Sequence, residues 1–437
     1  MEDALLGAIR TWNPWWAASW RFPSSWVPRT TLSDIKASMK ARHVKDIIGV
    51  RRCGKTTLAF QVIKVLIDDG IPPEQIVFLN FNDVVVKATG FHELEKAIYV
   101  AAPDVMYLFL DEVQEKPGWQ QWVVGFYDTS RFKHIFVTGS TASLITEDVG
   151  RLLTGRHLTF RLLPFSFREA LVANGWDDFD PAAIKRSLPR INGYLERYLA
   201  QGGFPEVHNS DPLVTRQILT LLFGDIIARD IASRHAVDVA KLTAVAQYTM
   251  TNFTREFSMR KIASALAVHV DTVEKYLAYL EQSFMVFTLP LFSYKQLRQF
   301  HENKKFYVVD NGLRNQVAFK TTRDLGKMAE NVVFLALKQE DAEMYYWKDG
   351  KHEVDFLVTS GADVRSIIQV RWGLSEESTR EREIAGIVAA ARLFSLPEGT
   401  ILNRDAEAEE TRDGITIHFV PIVTWLLDPA RAGRGLK

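Results

Sequence analysis

Cysteine is almost absent from this chain of 437 residues: Cys53 stands alone, which excludes an intrachain disulfide and suits a reducing compartment. Net charge is absent too. Lys plus Arg number 53 and Asp plus Glu number 53, so no chain-wide basic field points to nucleic acid, although local patches remain open. No apolar run reaches the roughly 18 residues that a membrane-spanning helix needs. The aromatic stretch TWNPWWAASWRFPSSW is interrupted by Asn13, Pro14 and Arg21 and carries no clean cleavage pattern. The histidines form no H-x-x-x-H or comparable pair, so no zinc site is expected. Internal repeats and low-complexity tracts are lacking as well. These absences suggest a soluble cytoplasmic protein with no membrane association. Hydrophobic residues at 47% and charged residues at 24% mark a globular chain, long enough for several domains.

HVKDIIGVRRCGKTTLAFQVIKVLIDDG reads as strand, loop and helix. Val44, Ile47 and Ile48 suggest a short buried strand. Leu58, Phe60, Val62, Ile63, Val65 and Leu66 supply the apolar content of a helix that ends at Gly70. Between them lies G-x-x-x-x-G-K-T at Gly49, Gly54, Lys55 and Thr56, within a loop that also carries Arg51, Arg52, Cys53 and Thr57. Such a loop turns backbone N–H groups around the phosphates of a nucleotide such as ATP. The helix N-terminus adds a favourable dipole, the lysine reaches the β- and γ-phosphates, and the hydroxyl serves Mg²⁺. Cys53 lies inside the loop, where alkylation would block nucleotide without the thiol being catalytic.

QIVFLNFND suggests a second strand. DVMYLFLDEVQ gives an apolar run from Val105 to Leu110 that ends in Asp111 and Glu112. An acid at a strand end is the expected metal-side partner of a phosphate loop, so Asp111 is assigned to the metal and Glu112 to polarising the attacking water. HIFVTGS ends in Thr138, Gly139 and Ser140; either hydroxyl could face the γ-phosphate or the water, or simply cap the next helix. Arg151, Arg156 and Arg161 follow. Arg156, in the TGR turn, is the chosen candidate for an arginine supplied across a subunit boundary. A structural salt bridge is the competing reading for each of the three.

The combination NPWW, RRCGKTTL, LFLDEVQ, VTGS, LLTGR, LPFSFREAL and GGFPEV resembles the archaeal and bacterial ATPases of the AAA+ class that carry a DUF4143-type C-terminal region, over nearly the whole chain. The stretch FGDIIARDI belongs to the same likeness. The resemblance implies a helical lid from about Asp180 to Ala236 and a homo-oligomeric ring, a hexamer being one such form, that would bring Arg156 to a neighbour's nucleotide.

SMRKIASALAVHVDTVEKYLAYLEQSFMVFTLPLF has helix-turn-helix spacing. Ser258 is expected to cap the first helix. Asp271 and Glu274 are expected to open the second, whose buried stripe is Val273, Tyr276, Leu277 and Leu280. MVFTLP and LFSYKQL are expected to form a wing. Thr272, Lys275 and Tyr279 would then face DNA, with Arg260, Lys261, Lys295 and Arg298 adding charge. A bracing module without DNA contact is the plain alternative.

The C-terminal third has an acid on a helix (Glu330), a strand bearing Glu353 and Asp355, a strand IIQVRW, and a long helix. That order resembles the PD-(D/E)xK nuclease fold. The expected Glu-x-Lys stands here as Gln369-Val370-Arg371. Gln369 is a neutral oxygen ligand and Arg371 cannot lose a proton, so phosphate binding without cleavage is expected from Gln369 and Arg371. A structural domain without ligand is the bland alternative.

The expected fold class is therefore α/β: an N-terminal aromatic segment (1–40), a P-loop AAA+ core (41–179), a helical lid (180–236), a winged helix (237–295) and a nuclease-like domain (296–437). The expected function is an ATP- and Mg²⁺-dependent ring ATPase that remodels duplex or branched DNA. The alternatives are a nucleotide switch with a protein partner and an ATP-dependent nuclease.

Overall fold

The computed structural model describes residues 2–140, 153, 155–294, 303–319, 324–373 and 376–428. The chain divides into two compact units, Met1–Leu162 with Gln282–Phe284, and Leu163–Glu281 with Met285–Lys437. The expected helical lid falls in the second unit, and the first ends well before residue 179.

The first unit is built on five parallel strands: β1 (Val44–Ile48), β2 (Ile76–Asn80), β3 (Tyr107–Asp111), β4 (His134–Gly139) and β5 (His157–Arg161), in the order β2-β3-β4-β1-β5. All of β1 to β4 is buried, as continuous apolar runs require in a sheet covered on both faces. The helix Lys55–Asp68 packs Leu58, Val62, Ile63 and Leu66 inward. Trp15 is buried against Phe60 of this helix and Phe78 of β2, and Trp26 stacks on Phe60. Trp15 is thus core packing, while Trp12, Trp16, Trp20 and Trp26 are partly exposed around it.

The same N-terminal segment closes the free edge of β2. Asn13 donates through Nδ2 to Phe78 O at 2.9 Å and accepts from Phe78 N at 2.7 Å. Trp16 Nε1 donates to Ile76 O at 3.0 Å. Side chains thereby satisfy backbone groups that a neighbouring strand would otherwise pair.

In the second unit, the helices Pro181–Arg186, Leu188–Gln201 and Pro212–Asp225 lead into a π-helical turn, Ile226–Ala232, which covers most of FGDIIARDI. The GGFPEV stretch has a steric reason. Gly202 has φ +79°, and a Cβ there would lie 2.2 Å from the Asp310 carboxylate. That carboxylate accepts from Gly203 N at 2.6 Å and Leu313 N at 2.8 Å, tying the end of one helix to the start of another, Asn311–Val317.

Next come the helix Val239–Thr251, β6 (Glu256–Phe257), the helices Met259–Leu266 and Val270–Gln282, β7 (Val286–Leu289) and β8 (Lys304–Val308). The sheet order is β6-β8-β7, antiparallel throughout. Three expectations need correction here. The strand partner of β7 is β8, and of the expected second run 291–297 only residues 291–294 are described. Pro290 ends β7, and Leu291 instead bridges to Tyr346; Lys295 and Arg298 lie outside the described residues. Ser258 stands at the N-cap without a side-chain cap bond. The second helix starts at Val270, so Asp271 sits within its first turn rather than capping it. The expected stripe Val273, Tyr276, Leu277 and Leu280 is buried.

The remainder is the helix Leu325–Gln339, the meander β9 (Glu343–Lys348), β10 (Glu353–Ser360) and β11 (Asp363–Val370), the crossover helix Glu377–Phe394, then β12 (Glu398–Asn403), β13 (Ala408–Arg412) and β14 (Ile415–Pro421). The sheet order is β13-β14-β12-β11-β10-β9, with β11, β12 and β14 parallel. Among the described residues, no helix is long and apolar enough to cross a membrane.

Candidate functional site

The loop after β1 is shaped by its surroundings. A Cβ on Gly49 would lie 2.0 Å from Leu162 O, so only glycine lets the two chain segments run this close. Arg52 (φ 64°) and Gly54 (φ 102°) both take the left-handed conformation, which turns the chain into the helix that begins at Lys55. Lys55 is 4% exposed and donates to Gly49 O at 3.1 Å and Val50 O at 3.2 Å, with Glu112 Oε1 3.9 Å away. Buried Arg29 pins the loop from outside by donating to Cys53 O at 2.8 Å.

At the same end of the sheet, β3 delivers Asp111. Its carboxylate accepts from Thr56 Oγ1 at 2.9 Å, Thr138 Oγ1 at 2.5 Å and Asn80 Nδ2 at 3.2 Å. Three neighbouring strand ends and the loop helix therefore converge on one carboxylate. Burial, and then the charge of Glu112, push the Asp111 carboxyl up to about 6. Thr138 also accepts from Glu112 N at 3.1 Å, which fixes the turn where Glu112 takes φ 54°. Ser140 has a different job, accepting from Gln114 Nε2 at 3.3 Å. The two hydroxyls left open by the sequence thus divide: Thr138 serves Asp111, and Ser140 serves Gln114.

Arg156 lies elsewhere. β5 runs parallel to β1 with His157 beside Val44 and Arg161 beside Ile48. Arg156 thus sits at the end of the sheet remote from the loop, about 20 Å from Gly49 at the usual rise per strand residue. Its guanidinium pairs with Asp128 at 3.0 Å. Arg151 lies outside the described residues.

The second unit holds another charged centre. Lys305 of β8 is 3% exposed, and its ammonium lies 2.6 Å from Glu353 Oε1, 3.1 Å from Asp355 Oδ1 and 3.8 Å from Glu330 Oε1. Burial opposes the ammonium charge, but Asp355, Glu330 and Glu353 outweigh it and raise the Lys305 pKa. Burial and the Asp355 charge push the Glu330 carboxyl up to about 8, and Tyr307 donates to it at 2.7 Å.

Gln369 itself is 7% exposed. Its Oε1 accepts from Asp355 N at 3.0 Å and its Nε2 donates to Glu383 at 2.9 Å. Both ends of the amide are used inside the fold, which removes Gln369 from the nucleic-acid contacts expected of it. Arg371 is partly exposed and lies 4.0 Å from Glu383. On the helix Val270–Gln282, Lys275 is exposed, while Thr272 and Tyr279 are half-buried; Tyr279 stacks on His235 with ring centroids 3.8 Å apart.

Sequence reasoning missed Arg29, Asn80, Gln114 and Lys305. Lys305 carried a faint signal: in KKFYVV it shares a strand face with Tyr307, a polar pair in a buried run.

Residues 41–171 match the protein family AAA_14, described as an AAA domain. Residues 192–324 match DUF8612 and residues 325–425 match DUF4143, both domains of unknown function. An uncharacterized protein of Methanocaldococcus jannaschii is 30% identical over 381 residues, covering 83% of this chain and 82% of that protein. An uncharacterized protein of Haemophilus influenzae is 29% identical over 395 residues, covering 88% and 94%. Among solved structures, the Aeropyrum pernix ORC1 protein in complex with DNA aligns at 11% identity with a TM-score of 0.29, covering 66% of this chain and 91% of that one. AMPPCP-bound DnaA from Aquifex aeolicus aligns at 15% with a TM-score of 0.27, covering 57% and 86%.

Proposed function

Because this chain belongs to the family of AAA-class P-loop ATPases that join an AAA domain to a DUF4143 region, we propose that its ATP hydrolysis drives remodelling of DNA held by the second unit, in a homo-oligomer. The observation that carries the hydrolytic half is the convergence of Thr56, Thr138 and Asn80 on Asp111 beside Glu112 and the Lys55 loop.

Lys55 and the loop N–H groups bind the phosphates. Thr56 and Asp111 offer an oxygen-only pair at a helix N-terminus, a donor set that suits Mg²⁺. When bound, that ion polarises phosphate oxygens and offsets developing charge. Glu112 orients the attacking water. Arg156 is too remote from its own loop to act there; a role at a neighbouring subunit's nucleotide is the reading put to the test below, and its ion pair with Asp128 supports the competing structural one.

The DNA half rests on the order helix, β6, helix, helix, β7, β8 with sheet order β6-β8-β7, the arrangement of a winged helix, and on Lys275, Thr272 and Tyr279 along its second helix. The C-terminal acidic cluster is read as non-cleaving, since Lys305 already lies within it, 2.6 Å from Glu353 and 3.1 Å from Asp355. A nucleotide switch with a protein partner is the second reading. It is favoured by apolar side chains exposed on the helix Pro212–Asp225, with Leu213 63% and Leu221 66% exposed.

The test is the ATPase rate without DNA, with linear duplex and with a four-way junction. DNA stimulation is expected, and a rate indifferent to both DNAs moves the second reading to first place. Glu112→Gln should bind nucleotide but not turn it over. A mixture of Arg156→Ala and Lys55→Ala should regain activity that neither has alone.

A further inference from the structure

Glu112 is a flexible side chain on a backbone turn, and it needs something to aim it. One carboxylate oxygen, Oε1, faces the Lys55 ammonium at 3.9 Å, on the side where Lys55 meets the γ-phosphate. The other, Oε2, accepts a hydrogen bond from Gln114 Nε2. The same Gln114 nitrogen lies 3.3 Å from Ser140 Oγ at the end of β4. The short turn Val113–Glu115 brings Gln114 back beside the residue it serves.

The orientation of the amide is fixed by charge. Reversing it would set its carbonyl against the Glu112 carboxylate, whereas the present sense gives the anion a donor. Gln114 Oε1 is buried and has no hydrogen-bond partner among the described residues. A buried acceptor left unpaired opposes folding. The amide is held in place by what its nitrogen does.

We propose that Gln114 is a positioning residue for hydrolysis: it ties Oε2 of Glu112 to Ser140, so that Oε1 is presented towards the γ-phosphate side of Lys55. The role assigned to Gln114 is exercised through Glu112, with no contact of its own to nucleotide or water required. The proposal rests on the reading of Glu112 as the residue that orients the water.

The test compares Gln114→Leu, Gln114→Glu and Glu112→Gln in the full chain, reading kcat, KM, nucleotide binding by a fluorescent ATP analogue, and thermal unfolding. Misplacing a catalytic group by about 1 Å costs on the order of 10²-fold in rate. Gln114→Leu should therefore lose kcat on that scale while KM, nucleotide affinity and the unfolding midpoint stay put. Gln114→Glu keeps the shape but replaces the donor by a second anion, and should also lose kcat with binding retained. It stands in if the leucine variant does not fold. Two outcomes would overturn the proposal: wild-type kcat in both Gln114 variants, or kcat and nucleotide affinity falling together. Should Glu112→Gln itself hydrolyse ATP at the wild-type rate, the reading of Glu112 fails instead, and the two failures are told apart.

Discussion

Among the described residues, two buried meetings of lysine with carboxylates are organised in opposite ways. Near β3, Lys55 spends its protons on loop carbonyls and stands 3.9 Å from Glu112, while Asp111 is held by two hydroxyls and an amide. Near β10, Lys305 is inside the acidic cluster, 2.6 and 3.1 Å from two carboxylates. The first arrangement keeps a cation beside its carboxylates, available to phosphate. The second has already used its cation. Similar residue types thus give a site for a ligand in one unit and a cluster already occupied by its own lysine in the other.

The sharpest way to break this comparison is to remove each lysine. Lys55→Ala should abolish nucleotide binding with little change in thermal stability. Lys305→Ala should leave nucleotide binding intact but strand buried carboxylates, which costs about 3–5 kcal/mol. For a unit of this size the second unit's unfolding midpoint should drop by on the order of 10 °C. Equal stability of Lys305→Ala and wild type would deny that Lys305 offsets the charge of those carboxylates.

A smaller effect is expected with pH. The Glu330 carboxyl is raised from its ordinary 4.5 to about 8 in the folded protein. The folded state then holds a proton that the unfolded state releases, so the stabilisation is complete below about 4.5 and is lost as pH rises through about 8. Glu330→Gln should flatten the decline of the unfolding midpoint across that window; an unchanged slope assigns the decline to other groups.

The smallest effect concerns Arg371, partly exposed beside Glu383. Arg371→Ala should weaken DNA binding modestly and reduce its salt dependence, as the loss of one phosphate contact does. Asp355→Ala should leave DNA length unchanged in Mg²⁺ or Mn²⁺. Metal-dependent shortening by the wild type that vanishes in Asp355→Ala would instead restore a nuclease.

What could be read from the sequence follows from where each partner lies along the chain. The P-loop carries its chemistry in adjacent residues, and Asp111 ends an apolar strand, so both were legible. The core strands read as continuous buried runs for the same reason. Lys305 meets Asp355 across fifty residues of chain, and Arg29 reaches Cys53 across twenty-four; no local pattern announces either. The strand partner of β7 was misread because LFSYKQL looks as strand-like as β8, and the choice between them is made by pairing at long range. Gln114 was within the quoted motif, but its value lies in a rotamer.

Asn13 gives β2 a counterfeit neighbour: one amide, with its donor and acceptor both matched to Phe78, imitates a single rung of a strand that is not there. A side chain can do this only at one rung, yet an incoming strand needs that rung vacant before it can zip along the edge. Protection against runaway association between copies therefore rests on Asn13, with Trp16 covering Ile76 O beside it. Replacement of Asn13 by alanine would leave the ATPase chemistry intact while exposing β2 to its counterparts in other molecules.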